Sequence, residues 1–160
     1  MNTNVKRLRK ELQELRKNKE EDMVLFPEED TIMRWRAFIR GPADTPFAGR
    51  CFELAIQTTP LYPMEPPKMK FVTKIFHPNV HFKDGSICLD ILKREWSPAW
   101  TLRAACLAVI SLLSDPAADS PLNCDAGNMI RAGDMLAYNS MASMYTREHG
   151  LPDLPNDPNQ

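Results

Sequence analysis

The sequence lacks a long apolar run. Its longest, from Ala104 to Ile110, is far shorter than the roughly 20 residues that a membrane-spanning helix needs. The basic N-terminus reaches no apolar signal segment, Met1-Asn2 is not a myristoylation start, and the C-terminal Pro-Asn-Gln is neither a prenylation box nor a peroxisomal import signal. These absences predict no direct membrane insertion and a cytosolic or nuclear protein, unless a partner tethers it.

An excess of either charge is also absent. Lys and Arg total 20 against 21 for Asp and Glu, a net charge of -1, so a nucleic acid has no electrostatic reason to bind. We therefore expect a protein or a small molecule as partner and no nucleic acid. The segment from Val5 to Lys19 is the exception, because its basic residues far outnumber Glu11 and Glu14. Either a solvated face or a docking surface accounts for such a segment.

Disulfide and metal-binding motifs are missing as well. No C-x-x-C spacing occurs, and a chain of 160 residues does not need disulfides to fold. His77 and His81 are four residues apart, but Pro78 interrupts a helix there and the glutamate of a zinc-protease motif is absent. We predict no metal site and four reduced thiols, each either packed or reactive. These are Cys51, Cys88, Cys106 and Cys124.

What is present suits a single domain. The mass of 18.3 kDa, 43% hydrophobic residues and 26% charged residues are ordinary for one globular unit. Helical and alternating spacings predict an α/β (α+β) fold, with residues 1–149 as one domain and a disordered, proline-rich tail at 150–160. The predicted helices cover residues 5–19, 102–115, 125–131 and 134–147, and the predicted antiparallel strands lie near 23–26, 33–39, 52–56 and 69–73.

Residues 74–100 show neither the helical nor the alternating spacing of apolar residues. A long irregular segment inside a compact domain is usually functional, and this one contains His77-Pro78-Asn79 and, near its centre, Cys88. On the residues alone Cys88 is only a candidate nucleophile, because reactivity depends on thiolate character and exposure. A Cys-His protease pair stays open as an alternative, with His149 as the one distant histidine.

Short motifs occur along the chain from Lys6 to Arg147. They are Gly41-Pro42, Pro46-Phe47-Ala48-Gly49, Tyr62-Pro63, Pro66-Pro67, His77-Pro78-Asn79, Gly85-Ser86-Ile87-Cys88-Leu89-Asp90, Trp96-Ser97-Pro98, Thr101 and Asp119-Ser120-Pro121-Leu122. In this order they resemble the ubiquitin-conjugating enzymes. The resemblance implies an N-terminal helix, a four-stranded antiparallel sheet, an active-site loop and three further helices. It also implies a transferase that accepts ubiquitin as a thioester on Cys88 and passes it to a substrate side chain, without a cofactor.

Within that family the chain is most similar to the peroxisomal members. The segment from Val80 to Gly85 places one more residue before Cys88 than most members have, and residues 119–125 are similar to a plant-type peroxisomal sequence. This subclass implies the peroxisomal import receptor as substrate and a peroxisomal membrane protein as tether at the cytosolic face. Alternatives are an enzyme of general cytosolic turnover, an enzyme for another ubiquitin-like modifier, and a non-catalytic binding module.

The resemblance also implies roles for individual residues near Cys88. Asn79 would either donate its amide to the oxyanion or brace the active-site loop. Asp119 would either orient the attacking lysine and accept its proton or cap the turn before Pro121. His77 is expected to be structural.

Partner docking falls to other residues. The resemblance implies that Lys6 and Arg7 on the first helix, Met64 in the proline-rich loop, and Pro98 and Ala99 in a second loop meet the ubiquitin-activating enzyme and a RING-type ubiquitin ligase. Methionine suits such a position because its flexible thioether adapts to a protein contact.

Overall fold

A four-stranded antiparallel sheet with four α-helices around it makes up the computed structural model over residues 2–160, which are the residues it describes. The strands, in sheet order, are β1 (Met23–Pro27), β2 (Arg34–Arg40), β3 (Cys51–Gln57) and β4 (Lys68–Phe71). The helices are α1 (Thr3–Lys17), α2 (Leu102–Ser114), α3 (Cys124–Arg131) and α4 (Met135–His149). This architecture confirms the predicted fold.

The alternation in β2 determines which face of the sheet is buried. Trp35, Ala37 and Ile39 are at most 1% exposed, and Ala37 pairs with Leu54 of β3 and Leu25 of β1. Directly opposed residues of an antiparallel ladder share a face, so these side chains form one apolar surface. That surface belongs to the same core cluster as the buried residues of α2.

Helix α2 is the most apolar helix, as predicted. Its Ala105, Cys106 and Val109 are fully buried. The Thr101 hydroxyl accepts a hydrogen bond from the Ala104 N–H at 3.0 Å and so caps the first turn. Across residues 2–160 no helix combines the length and the apolarity that a membrane crossing requires.

Segment 74–100 is more ordered than its lack of periodicity suggests. Val80 and Ile87 form an isolated β-bridge, and residues Asp90–Leu92 form a short 3-10 helix. Gly85, with φ of +78°, makes the turn between the bridged residues, and a Cβ there would lie 2.0 Å from the Phe71 carbonyl oxygen. Only glycine fits this position.

The structure differs from the expectation of a disordered tail at residues 150–160. Leu151 exchanges two backbone hydrogen bonds with Cys51, at 2.8 and 2.9 Å, and the Asn159 Nδ2 donates to the Leu25 carbonyl oxygen at 2.7 Å. The tail thus lies against β3 and β1. The absence of periodicity did not reveal this, because the partners are backbone groups on strands a hundred residues or more away.

Candidate active site

Cys88 lies directly after the bridged turn of segment 74–100. Its N–H donates to the Asn79 carbonyl oxygen at 2.8 Å, which joins the His77-Pro78-Asn79 motif to the cysteine. The thiol is free and the residue is half-buried. The side chain is therefore positioned by fixed backbone and can still be reached from outside.

His77 is fully buried and makes two hydrogen bonds. Its Nδ1 accepts from the Asn79 N–H at 3.0 Å, and its Nε2 lies 2.9 Å from the Leu112 carbonyl oxygen. The first bond requires an unprotonated Nδ1, so the Nε2 carries the hydrogen and donates to Leu112. Burial lowers the pKa of His77 to about 4. The neutral ring thus ties the active-site segment to α2, in agreement with the structural role expected from sequence.

The side chain of Asn79 is only 2% exposed and pairs with the backbone of Ala117. Its Nδ2 donates to the Ala117 carbonyl oxygen at 2.6 Å, and its Oδ1 accepts from the Ala117 N–H at 2.8 Å. Both ends of the amide are therefore engaged. This geometry is that of a brace between segment 74–100 and the loop after α2.

Pro78 holds the same loop from its other side. Its carbonyl oxygen accepts hydrogen bonds from the N–H groups of Leu122, at 2.8 Å, and Asn123, at 3.1 Å. In the sequence, Asp119 stands between Ala117, which binds Asn79, and Leu122, which binds Pro78. Asp119 is exposed. The structure thus places Asp119 on a loop anchored at two points to the residues that precede Cys88.

The other three thiols have different surroundings. Cys51 and Cys106 are buried, as predicted, and burial raises the pKa of both, that of Cys106 to about 12. Cys124 is exposed at the first position of α3. Exposure by itself therefore does not single out Cys88, whereas its place in the Asn79 hydrogen-bond network does.

The predicted docking residues lie on three neighbouring segments. Met64 is 75% exposed, and Lys6, Pro98 and Ala99 are exposed as well. Arg7 is less free, since its Nη2 donates to the Trp100 carbonyl oxygen at 2.7 Å and its side chain is 22% exposed. Four of the five residues are thus open to a partner, and Arg7 instead links α1 to the loop that carries Pro98.

Sequence reasoning missed Glu11. The apolar residues Val5, Leu8, Leu12 and Leu15 follow a helical spacing in the sequence, which predicts them as the buried face of α1. In the structure the buried residues are Asn4, Leu8, Glu11 and Leu15. The available signal was the position of Glu11, three residues after Leu8 and four before Leu15, on the same helix face as both. The charge of Glu11 instead favoured a place on the solvent-exposed side of the helix.

Comparison with known proteins identifies the family. The family described as "Ubiquitin-conjugating enzyme" matches residues 7–146. "Protein PEROXIN-4" of Arabidopsis thaliana is 52% identical over 148 residues, which cover 91% of this chain and 94% of that protein. "Ubiquitin-conjugating enzyme E2 pex4" of Dictyostelium discoideum is 54% identical over 145 residues, covering 90% of this chain and 97% of that protein.

A solved structure gives the same result. The H. polymorpha ubiquitin-conjugating enzyme Pex4p, crystallised in complex with the soluble domain of Pex22p, superposes with a TM-score of 0.89 at 37% identity, covering 93% of this chain and 99% of that one.

The chain belongs to the ubiquitin-conjugating enzyme family and is a transferase. The predictions of an enzyme rather than a binding module, and of similarity to the peroxin members, are confirmed.

Proposed function

We propose that this enzyme accepts ubiquitin as a thioester on Cys88 and transfers it, with a ligase, to an amino group of a substrate protein. The observation that carries the proposal is the free thiol of half-buried Cys88, whose backbone N–H is bound to the Asn79 carbonyl oxygen at 2.8 Å. In loading, the Cys88 thiolate attacks the thioester carbonyl of ubiquitin on the activating enzyme, and that enzyme's thiolate leaves. One thioester replaces another, so the step needs no strong base.

Transfer of ubiquitin from Cys88 to a lysine is chemically harder than loading. An amine with a pKa of ~10.4 is neutral in only about one molecule in 2,500 at pH 7. Asp119 is the proposed group that orients the incoming lysine and accepts its proton, while desolvation lowers the lysine pKa. Its support is an exposed carboxylate on a loop anchored to Asn79 and Pro78. For Asn79, engagement of both ends of its amide favours the bracing role over direct donation to the oxyanion.

Thioester formation on Cys88 is tested by loading with activating enzyme, ATP and ubiquitin. We expect the wild-type protein to give a band shifted by one ubiquitin on a non-reducing gel, and we expect thiol to remove it. Cys88→Ala loses this band completely, because no other thiol has the same position. Cys124→Ala is the matched control, since it removes an exposed cysteine, and it loads normally. A thiol-sensitive band that persists in Cys88→Ala contradicts the proposal.

Docking of the partners is proposed for Lys6, Arg7, Met64, Pro98 and Ala99. Met64 supports this assignment best. An apolar side chain that is 75% exposed gains nothing from folding but can bury its surface against the activating enzyme or a RING-type ligase.

We also propose that the enzyme works at the cytosolic face of peroxisomes, held there by a membrane protein, with the import receptor as its substrate. The support is the similarity to proteins named PEROXIN-4 and pex4 and to the structure of Pex4p in complex with the soluble domain of Pex22p.

Cell fractionation tests this location. The wild-type protein is expected to sediment with peroxisomes, to be released by salt or urea, and to be digested by protease without detergent. Protection from protease, or recovery wholly in the soluble fraction, contradicts the peroxisomal assignment and leaves the conjugating activity untouched.

A further inference from the structure

The carboxylate of Glu11 is buried, with 7% exposure, on a helix whose other faces are mostly basic. Its Oε2 accepts hydrogen bonds from the Tyr62 hydroxyl at 2.5 Å and the Arg7 Nε at 3.0 Å, and its Oε1 accepts from the Leu102 N–H at 2.7 Å. Three donors, one of them charged, compensate a buried carboxylate well. Glu11 thus connects α1, the proline-rich loop and the start of α2.

Tyr62 links this carboxylate to the loop that carries Met64. Tyr62 is 1% exposed and stands two residues before Met64. Its ring lies 5.9 Å from the ring of Trp96, whose Nε1 donates to the Pro63 carbonyl oxygen at 2.8 Å. The Met64 loop is therefore tied both to α1 and to the loop that carries Pro98.

Arg7 and Leu102 hold that second loop at its C-terminal end. The Arg7 Nη2 donates to the Trp100 carbonyl oxygen at 2.7 Å, and the Leu102 N–H donates to Glu11. Both contacts come after Pro98 and Ala99 in the chain. The Arg7–Glu11 pair on adjacent turns of α1 thus holds the backbone at Trp100 and Leu102, at the end of this loop.

We propose that Glu11 is a positioning residue for partner docking: its carboxylate sets the position of Met64 relative to Pro98 and Ala99, and so the affinity for the ubiquitin-activating enzyme. Glu11 touches no partner itself, because it is buried. The inference rests on the docking surface of the proposed function.

The experiment measures KM and kcat of the activating enzyme for this protein in a loading assay. We expect Glu11→Gln to raise KM about tenfold and Tyr62→Phe about threefold, in the range typical of a positional coupling. The value of kcat stays near that of the wild type, because the thiol is unchanged. If Glu11→Gln fails to fold, the KM of Tyr62→Phe tests the proposal by itself.

The controls separate positioning from stability. Tyr138→Phe removes the hydroxyl of a tyrosine that is equally buried, but whose oxygen has no hydrogen-bond partner within residues 2–160. Glu148→Gln removes an exposed carboxylate of α4. Ile39→Val lowers stability in the sheet without touching the Glu11 contacts. All three are expected to keep the wild-type KM.

Docking variants separate failure of this inference from failure of the proposed function. If Met64→Ala and Pro98→Ala raise KM but folded Glu11→Gln and Tyr62→Phe do not, the positioning role is wrong. The same holds if Ile39→Val raises KM as much as they do. If Met64→Ala and Pro98→Ala leave KM unchanged, the docking surface itself is wrong, and the inference falls with it.

Discussion

Burial decides the protonation state of His77. The ring is fully buried, and its Nδ1 must stay unprotonated to accept from the Asn79 N–H. The folded protein therefore binds a proton at His77 only near pH 4, against 6.5 for the free side chain. Between these values the unfolded chain binds more protons than the folded one, so stability falls as the pH falls.

This difference predicts a pH-dependent loss of stability. From about pH 6.5 to pH 4 the His77 contribution to the free energy of unfolding falls by ~3 kcal/mol. Urea unfolding across this range measures it, with His77→Gln as the control because glutamine keeps a donor for Leu112 and does not titrate there. The wild type is expected to lose stability more steeply than the variant. Parallel curves for the two proteins would contradict the assignment.

The loop after α2 depends on contacts to another element. Asn79 binds Ala117 through both ends of its amide, and Pro78 binds Leu122 and Asn123. The loop itself contributes no regular structure between Asp115 and Asn123. The position of Asp119 relative to Cys88 therefore depends on the motif before the cysteine.

A double-mutant cycle tests whether Asn79 acts through this loop. Asp119→Ala is expected to load normally but to discharge ubiquitin to free lysine about a hundredfold more slowly, as for loss of a general base. Asn79→Ala slows discharge about tenfold and speeds amide hydrogen exchange at residues 115–120. Because both act on one loop, the double variant loses less than the product of the two effects. Losses that multiply fully, with unchanged exchange, would instead assign Asn79 directly to the oxyanion.

At the scale of the whole molecule, the C-terminal residues contact three adjacent strands of the sheet. Leu151 exchanges backbone hydrogen bonds with Cys51 of β3. The Asp153 Oδ1 lies 3.2 Å from the Arg40 Nη1 of β2, and the Asn159 side chain donates to the Leu25 carbonyl oxygen of β1. The β1 contact satisfies a carbonyl group at the edge of the sheet, where exposed backbone invites unwanted pairing.

Truncation after Gly150 is expected to lower the free energy of unfolding by about 2 kcal/mol, since the two backbone bonds of Leu151, the Asn159 side-chain bond and the exposed Arg40–Asp153 pair are lost. Urea denaturation measures the change. Asp153→Ala is the control, because an exposed ion pair contributes little, and it should change stability by less than about 0.5 kcal/mol. An unchanged midpoint for the truncated protein would show that the tail does not stabilise the sheet.

Much of the fold was predictable from local pattern. The four strands and four helices were expected near their observed bounds. Strands bury every second residue and helices bury residues three or four apart, so both patterns can be recognised in a short stretch of sequence. The position of Cys88 after His77-Pro78-Asn79 was also visible in the sequence. What could not be predicted were the partners of Asn79, the buried state of Glu11 and the contacts of the tail.

The sequence by itself determined the order and type of the elements and the resemblance to the family, and it made Cys88 the candidate nucleophile. These depend on residue type and spacing along the chain. Tertiary structure alone decided that Asn79 pairs with Ala117, that Glu11 is enclosed by Tyr62, Arg7 and Leu102, and that Leu151 joins Cys51. Most of these contacts join residues far apart in the chain, and the Arg7–Glu11 contact is buried only because such distant residues enclose it. Their energy comes from burial and hydrogen-bond geometry, which exist only once the chain is packed.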